Sequence, residues 1–309
     1  MLQFFKTINS KITEINDIED GCWIKATNPN EAEISKIQNL INVERDFIRS
    51  ALDEEETSRI EVEDDQTLIV VDYPVVETNK EEKHNIPYYT MPMAIILAPK
   101  NVVTVCLEEN EVLNEIATGV VKGIDTHLKT RFLLKILLRI ATRYLQYLKQ
   151  IDKISDLIEK RLHKSTKNKE LIQLLGLEKS LVYFSTSLKS NESVLEKILR
   201  GRVIKLFDED QDLLEDVLIE IKQAIEMATI HTNILSGTMD AFASIISNNL
   251  NLIMWRFTII TLVLSIPEII FSFYGMNVAN LPFANVGFII GLAGFFSAII
   301  GFILYKLKG

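Results

Sequence analysis

Ten residues near the end of this 309-residue chain recur at alternating steps of four and three: Asp240, Ser244, Ser247, Asn251, Met254, Thr258, Thr261, Ser265, Glu268 and Ser272. On a helix that spacing keeps one face turned toward an axis, as in a bundle of packed copies. Neighbours off the stripe, such as Ile259, Leu262, Leu264, Ile269 and Phe271, are apolar. Polar groups inside a bilayer face a bundle interior or a water-filled path, so the chemistry implied is the passage of an ion. Hydroxyls alone do not decide it, because Ser and Thr also bond their own helix or join two helices. Glu268 tilts the balance: a charged residue in mid-membrane is costly and marks a pathway or a partner.

The elements that must position this stripe are two apolar runs, Arg256 to Phe273 and Val286 to Leu307. Each has about 18 to 22 residues, which at about 1.5 Å per residue roughly matches a 30 Å hydrocarbon core. The competing reading is a pair of buried hairpin helices in a globular protein, but a core helix rarely stays apolar all round for so long. Two spans per chain cannot enclose a pore, so the reading requires several copies, with the first span lining the axis and the second outside it. Gly287 and Gly291 form a GxxxG pair, with Gly294 one turn on, and are expected to allow close helix approach. The loop between the runs is uncharged and begins Tyr274-Gly275-Met276-Asn277.

Net charge is −9, carried by clusters at Asp53 to Glu56, Glu61 to Asp65 and Asp208 to Asp216. That balance argues against nucleic acid as a partner and permits cation binding. Cys22 and Cys106 have no zinc-type spacing. Met1 to Lys6 lack a signal-peptide stretch, so the front of the chain is expected in the cytoplasm. The positive charges Arg256, Lys306 and Lys308 put both termini of a multi-pass cell-membrane protein on the cytoplasmic side. The histidines His84, His127, His163 and His231 are scattered, and neither a phosphate loop nor a nucleophile arrangement is seen, so neither an enzyme nor a resident cofactor is expected.

Before the spans, every proline lies between Pro29 and Pro99, which divides the front by architecture. Residues 1–125 mix β-rich runs (Gly21 to Thr27, Thr67 to Val76, Met93 to Leu97, Asn101 to Leu107) with helical ones such as Asn30 to Leu40, giving an α/β domain. Residues 126–250 read as long helices, Thr126 to Leu162, Lys167 to Lys189 and one from about Asp208, with turns at His163 to Lys169 and Ser190 to Ser193. The last helix meets no proline before Pro267 and can run unbroken from cytosol into membrane. The first span is then 251–273, the outer loop 274–285, and the second span with a basic tail 286–309.

On the placement of Gly275-Met276-Asn277 between two terminal spans, and on Ser247-Asn248-Asn249-Leu250-Asn251 followed by Met254, the chain resembles the CorA family of divalent-cation channels. The resemblance implies a funnel-shaped homopentamer with cytosolic α/β domains, passive uptake of Mg²⁺, and Co²⁺ or Ni²⁺ as further ions. It also implies that Gly275, Met276 and Asn277 form the outer filter and that Asp240, Asn251 and Met254 line the pore. Asp216, with Asp64 or Asp65 as its partner, would hold a regulatory Mg²⁺ between subunits.

The motif has its own chemistry. Mg²⁺ dehydrates reluctantly, so a ring of Asn277 amide oxygens that accepts hydrogen bonds from its water shell avoids stripping it. Neutral acceptors also keep binding weak enough for release. Gly275 is expected to allow a sharp backbone exit through unusual dihedrals. Two departures stand out: Val278 to Phe283 lack the acidic residue that many relatives carry, and Glu268 stands where a small or hydroxyl residue is expected. The structural alternative for Glu268 is a protonated group bonding the carbonyl that Pro267 frees. The alternatives are a zinc-transporting, proton-coupled relative with Glu268 as proton site, and a two-span membrane sensor or scaffold.

Overall fold

Seven strands carry the N-terminal architecture: β1 (Leu2–Ile8), β2 (Lys11–Ile15), β3 (Trp23–Thr27), β4 (Arg59–Glu63), β5 (Gln66–Val76), β6 (Tyr88–Leu97) and β7 (Val102–Cys106). They form one sheet of order β2-β1-β3-β7-β6-β5-β4. Among the described residues only β3 and β7 pair in parallel. This computed structural model describes residues 1–77, 87–162, 168–201, 203–277, 282 and 285–306. The chain divides into two compact units, Met1–Met239 and Asp240–Gly309.

In the first unit, α1 (Glu31–Ile41) and α2 (Arg45–Ser50) cover one face of the sheet. Ile34, Ile37, Phe47 and Ile48 pack there against Phe4, Ile24, Val70, Ile96 and Val103. Asn30 starts α1 with a reciprocal cap: its side chain accepts from the Glu33 amide, and the Glu33 carboxylate accepts from the Asn30 amide. On the other face Trp23 is fully buried, with ring centroids 5.0 Å from Phe5 and 5.3 Å from Phe132. Its Nε1 donates to Thr104 Oγ1 at 2.8 Å. Phe132 belongs to α4 (Lys129–Leu162), which follows the short α3 (Glu111–Ala117). Next come α5 (Asn168–Leu199), the 67-residue α6 (Asp208–Tyr274) and α7 (Val286–Lys306).

The expected strands are β3, β5, β6 and β7, and β1, β2 and β4 add to them. The first two join through Asn9 and Ser10, both in the left-handed region, at φ 49° and 62°. The expected turn at Ser190 to Ser193 is overturned, because α5 continues through it. The reason lies in the sheet. β4 stops pairing at Arg59 opposite Val70, so the backbone of Asp72 has no strand on that side. Asn191 takes the strand's place: its Oδ1 accepts from Asp72 N at 2.9 Å and its Nδ2 donates to Asp72 O at 2.8 Å. Tyr144 OH of α4 adds a bond to the same carbonyl at 3.2 Å. Pro92, opposite Asp72, sits just before β6 begins to pair with β7, where its missing N–H costs no ladder bond. Of the other expected turn, His163 to Lys167 lie outside the described residues.

In the second unit the apolar windows of both helices face outward: none of that in α6 and only 6% of that in α7 is buried in the protomer. Buried hairpin helices of a globular core would show the reverse. α6 passes through Pro267 without ending. A proline inside a helix removes the bond to the carbonyl four residues back, here Val263. Ser297 of α7 donates its hydroxyl to that carbonyl at 3.2 Å. One turn on, a Cβ at Gly301 would lie 3.5 Å from Val263 Cγ2, and one turn back Ala293 is buried. The seam of α7 is therefore Ala293, Ser297 and Gly301. The close approach expected at Gly287 and Gly291 is not found within the protomer, where a Cβ at Gly291 or Gly294 would meet nothing within 4 Å.

Two substitutions test these repairs. Asn191→Leu leaves the half-buried Asp72 amide and carbonyl without their side-chain partner, and the first unit is expected to lose about 1–2 kcal/mol, read as a lower midpoint in chemical denaturation. Ser297→Ala strands the Val263 carbonyl in hydrocarbon and is expected to cost about 0.5–1.5 kcal/mol, seen as a lower thermal midpoint of the protein in detergent. An unchanged midpoint in either case contradicts the assignment.

Candidate functional site

Because α6 is continuous from Asp208 to Tyr274, the heptad spacing of the ten stripe residues sets them on one helical face. All are exposed in the protomer except Ser265, which is half-buried. Four of the six stripe hydroxyls have a common arrangement. Ser244 donates to Asp240 O at 3.0 Å, Thr258 to Met254 O at 2.9 Å, Thr261 to Phe257 O at 2.9 Å and Ser265 to Leu262 O at 3.0 Å. Each hydroxyl has one proton, so these oxygens have spent theirs on their own helix and offer only lone pairs outward. The self-bonding expected as an alternative to a polar path is thus present, and it leaves the face rich in acceptors. Among the described residues Asn251 and Glu268 find no hydrogen-bond or ion-pair partner, so their oxygens are also uncommitted there.

Gly275 ends the helix, its amide donating to Phe271 O at 2.9 Å. Its backbone is not in the left-handed region, which corrects the expectation of unusual dihedrals. The glycine answers a close approach instead: a Cβ would lie 3.1 Å from Phe271 O. The Met276 amide reaches Phe273 O at 3.4 Å, and Asn277 follows, exposed. The rest of the loop sequence cited above, except Pro282, lies outside the described residues, as do His84, His163 and Lys308.

Asp64 and Asp65 form the two-residue turn between β4 and β5, with Asp64 at φ 49°. Asp216 lies on an exposed face of α6. Its neighbours are partly structural: Asp210 is buried, and its carboxylate accepts from Phe207 N at 3.4 Å. Among the described residues no group of three or more His, Cys, Asp or Glu is placed to hold a metal ion in one protomer. The structure does not bring Asp216 together with Asp64 or Asp65. Sequence reasoning missed Ser297. Its signal was Pro267, which announces an orphaned carbonyl at Val263 without saying which residue of the second span would meet it.

The cobalt/magnesium transport protein CorA of Methanocaldococcus jannaschii is 27% identical to this chain over 284 residues, spanning 90% of this chain and 87% of that protein. The complete structure of the CorA magnesium transporter from the same organism is similar to this chain at a TM-score of 0.83 and 23% identity, covering 99% of this chain and 96% of that one. The ZntB cytoplasmic domain from Vibrio parahaemolyticus shares the fold at a TM-score of 0.61 and 11% identity, covering 81% of this chain and 97% of that one. The family described as CorA-like Mg²⁺ transporter protein matches residues 19–308. With a match that runs from β3 through the long helices and both candidate spans, the chain belongs to the CorA-like Mg²⁺ transporter family.

Proposed function

We propose that copies of this chain assemble, as a homopentamer, into a membrane channel for passive uptake of Mg²⁺, with Co²⁺ or Ni²⁺ as further ions, both termini being cytoplasmic. The observation that carries the reading is the acceptor-rich face of α6, from Asp240 to Ser272, on which Ser244, Thr258, Thr261 and Ser265 spend their hydroxyl protons on their own backbone. Such a face, rich in oxygen acceptors and carrying the carboxylates of Asp240 and Glu268, suits a cation with its water shell. Membership of the family supports the choice of ion, as does the name of the cobalt/magnesium relative.

Each position then has a task. Asn277, with Gly275 and Met276, forms the outer filter, where neutral carboxamides hold the water shell of the ion. Thr258, Thr261, Ser265 and Ser272 pass the ion along, and Asn251, Ser247, Ser244 and Asp240 receive it on the cytosolic side. Met254 interrupts the acceptors and narrows the path with an apolar ring, a device that can gate by excluding water. Asp216 and the Asp64-Asp65 turn act between subunits, where a cytosolic Mg²⁺ that binds the closed state better shifts the population toward it.

Two variants test this. Asn277→Ala should abolish Mg²⁺ flux in liposomes while assembly persists, and wild-type flux through an assembled variant would sink the filter assignment. Asp216→Ala should weaken the protection that millimolar Mg²⁺ gives against proteolysis and leave the channel more open at high internal Mg²⁺. Digestion of the wild type at the same rate with and without Mg²⁺ would mean that the acidic face of α6 is only solvated.

A further inference from the structure

Pro267 and Glu268 stand side by side on α6, and the structure separates their roles. The carbonyl freed by the proline belongs to Val263 and is already bonded by Ser297 at 3.2 Å. Glu268 is therefore not needed for that repair, and among the described residues its side chain has no hydrogen-bond or ion-pair partner. Nor does a counter-charge lie nearby in sequence. Between Arg256 and Tyr274 it is the only ionisable residue of α6, and α7 carries none before Tyr305 and Lys306. An unpartnered carboxyl on a helix in the bilayer must find its partner outside the protomer. Glu268 is on the face defined by Ser265 and Ser272, one turn to either side.

We propose that Glu268 builds a divalent-cation site inside the membrane, separate from the Asn277 filter, in which carboxylates from adjoining copies share one ion. The site rests on the channel reading, since only assembly brings the carboxylates together. At about 1.5 Å per residue it lies roughly 10 Å along α6 from the end of the helix at Tyr274. Ser265, whose proton goes to Leu262 O, contributes a hydroxyl oxygen, and Ser272 contributes another. This all-oxygen set suits hard cations of the Mg²⁺ class. The two stations differ in kind. Asn277 offers neutral dipoles that admit a hydrated ion, whereas Glu268 offers charge, and attraction to a fixed charge doubles from a monovalent to a divalent ion. Glu268 thus sets the preference for divalent over monovalent ions, and Asn277 sets access.

The test uses the full-length protein in liposomes, with Mg²⁺ and Na⁺ as probes, comparing wild type, Glu268→Gln and Glu268→Asp after assembly is verified by size. Glu268→Gln should lower the Mg²⁺ over Na⁺ preference by about tenfold, equivalent to about 1.4 kcal/mol in differential binding. Glu268→Asp should keep most of it. If the wild type conducts Mg²⁺ and Glu268→Gln shows the same preference, the site is overturned while the channel stands. If the wild type carries no divalent flux, the channel reading falls and takes the site with it. Should Glu268→Gln fail to assemble, Glu268→Cys can be titrated with a sulfonate-bearing methanethiosulfonate. Cys22 and Cys106, 0% and 1% exposed, leave a quiet background. Restored negative charge should bring back the Mg²⁺ preference, and an introduced thiol that is unreactive, or whose modification changes nothing, overturns the proposal.

Discussion

Hydrocarbon offers no hydrogen bond to a stranded polar group, and the second unit of this protein is arranged around that deficit. Pro267 deletes one backbone donor, and Ser297 makes good the loss at Val263. The repair requires α7 to come close, and the small residues Ala293 and Gly301 on either side of Ser297 permit it. Along α6 the hydroxyls of Thr258, Thr261 and Ser265 turn their protons inward to their own helix. What satisfies the helix also determines what these three hydroxyls offer on the exposed face: lone pairs without protons. The proposed passage of hydrated cations draws on the same hydrogen-bond accounting that lets the helix exist in lipid.

The first unit obeys the same rule in a different solvent. β4 is too short to cover the whole of β5, and the uncovered backbone at Asp72 would be a buried defect. A carboxamide on α5 and a phenol on α4 close it. In doing so they fix both helices against the edge of the sheet at a defined register, which packing of apolar side chains alone specifies less sharply.

Legibility from the sequence divides along physical lines. The stripe from Asp240 to Ser272 could be read because helical spacing sets a common face whatever surrounds it, and the two spans because a bilayer demands length and apolarity together. The strands β1, β2 and β4 were not read, since KITEI and RIEVE carry charge on edge strands that expose it. Ser190 to Ser193 looked like a turn because polar residues in a row usually mark solvent. Here Asn191 is buried and bonds a strand more than a hundred residues away in sequence. Gly287 and Gly291 drew attention as a close-packing motif, but the face of α7 that meets α6 is set by Val263, and only the three-dimensional register identifies Ser297. Asn277 and Gly275 were legible as positions, although the reason for glycine proved to be the Phe271 carbonyl and not an unusual dihedral. Asp216 and the Asp64-Asp65 turn are not brought into one metal-holding group among the described residues of a protomer, and their proposed pairing is a matter of assembly, on which the sequence of one chain is silent.

The central claim is that the acceptor face of α6 conducts hydrated divalent cations passively. Flux into liposomes holding the purified wild-type protein tests it most directly, with Mg²⁺, Co²⁺ and Zn²⁺ supplied in turn under a membrane potential, with and without a pH gradient. The account predicts Mg²⁺ and Co²⁺ uptake that follows the potential and is indifferent to the pH gradient. Zn²⁺ uptake that requires the pH gradient, with no Mg²⁺ entering under potential alone, would contradict it.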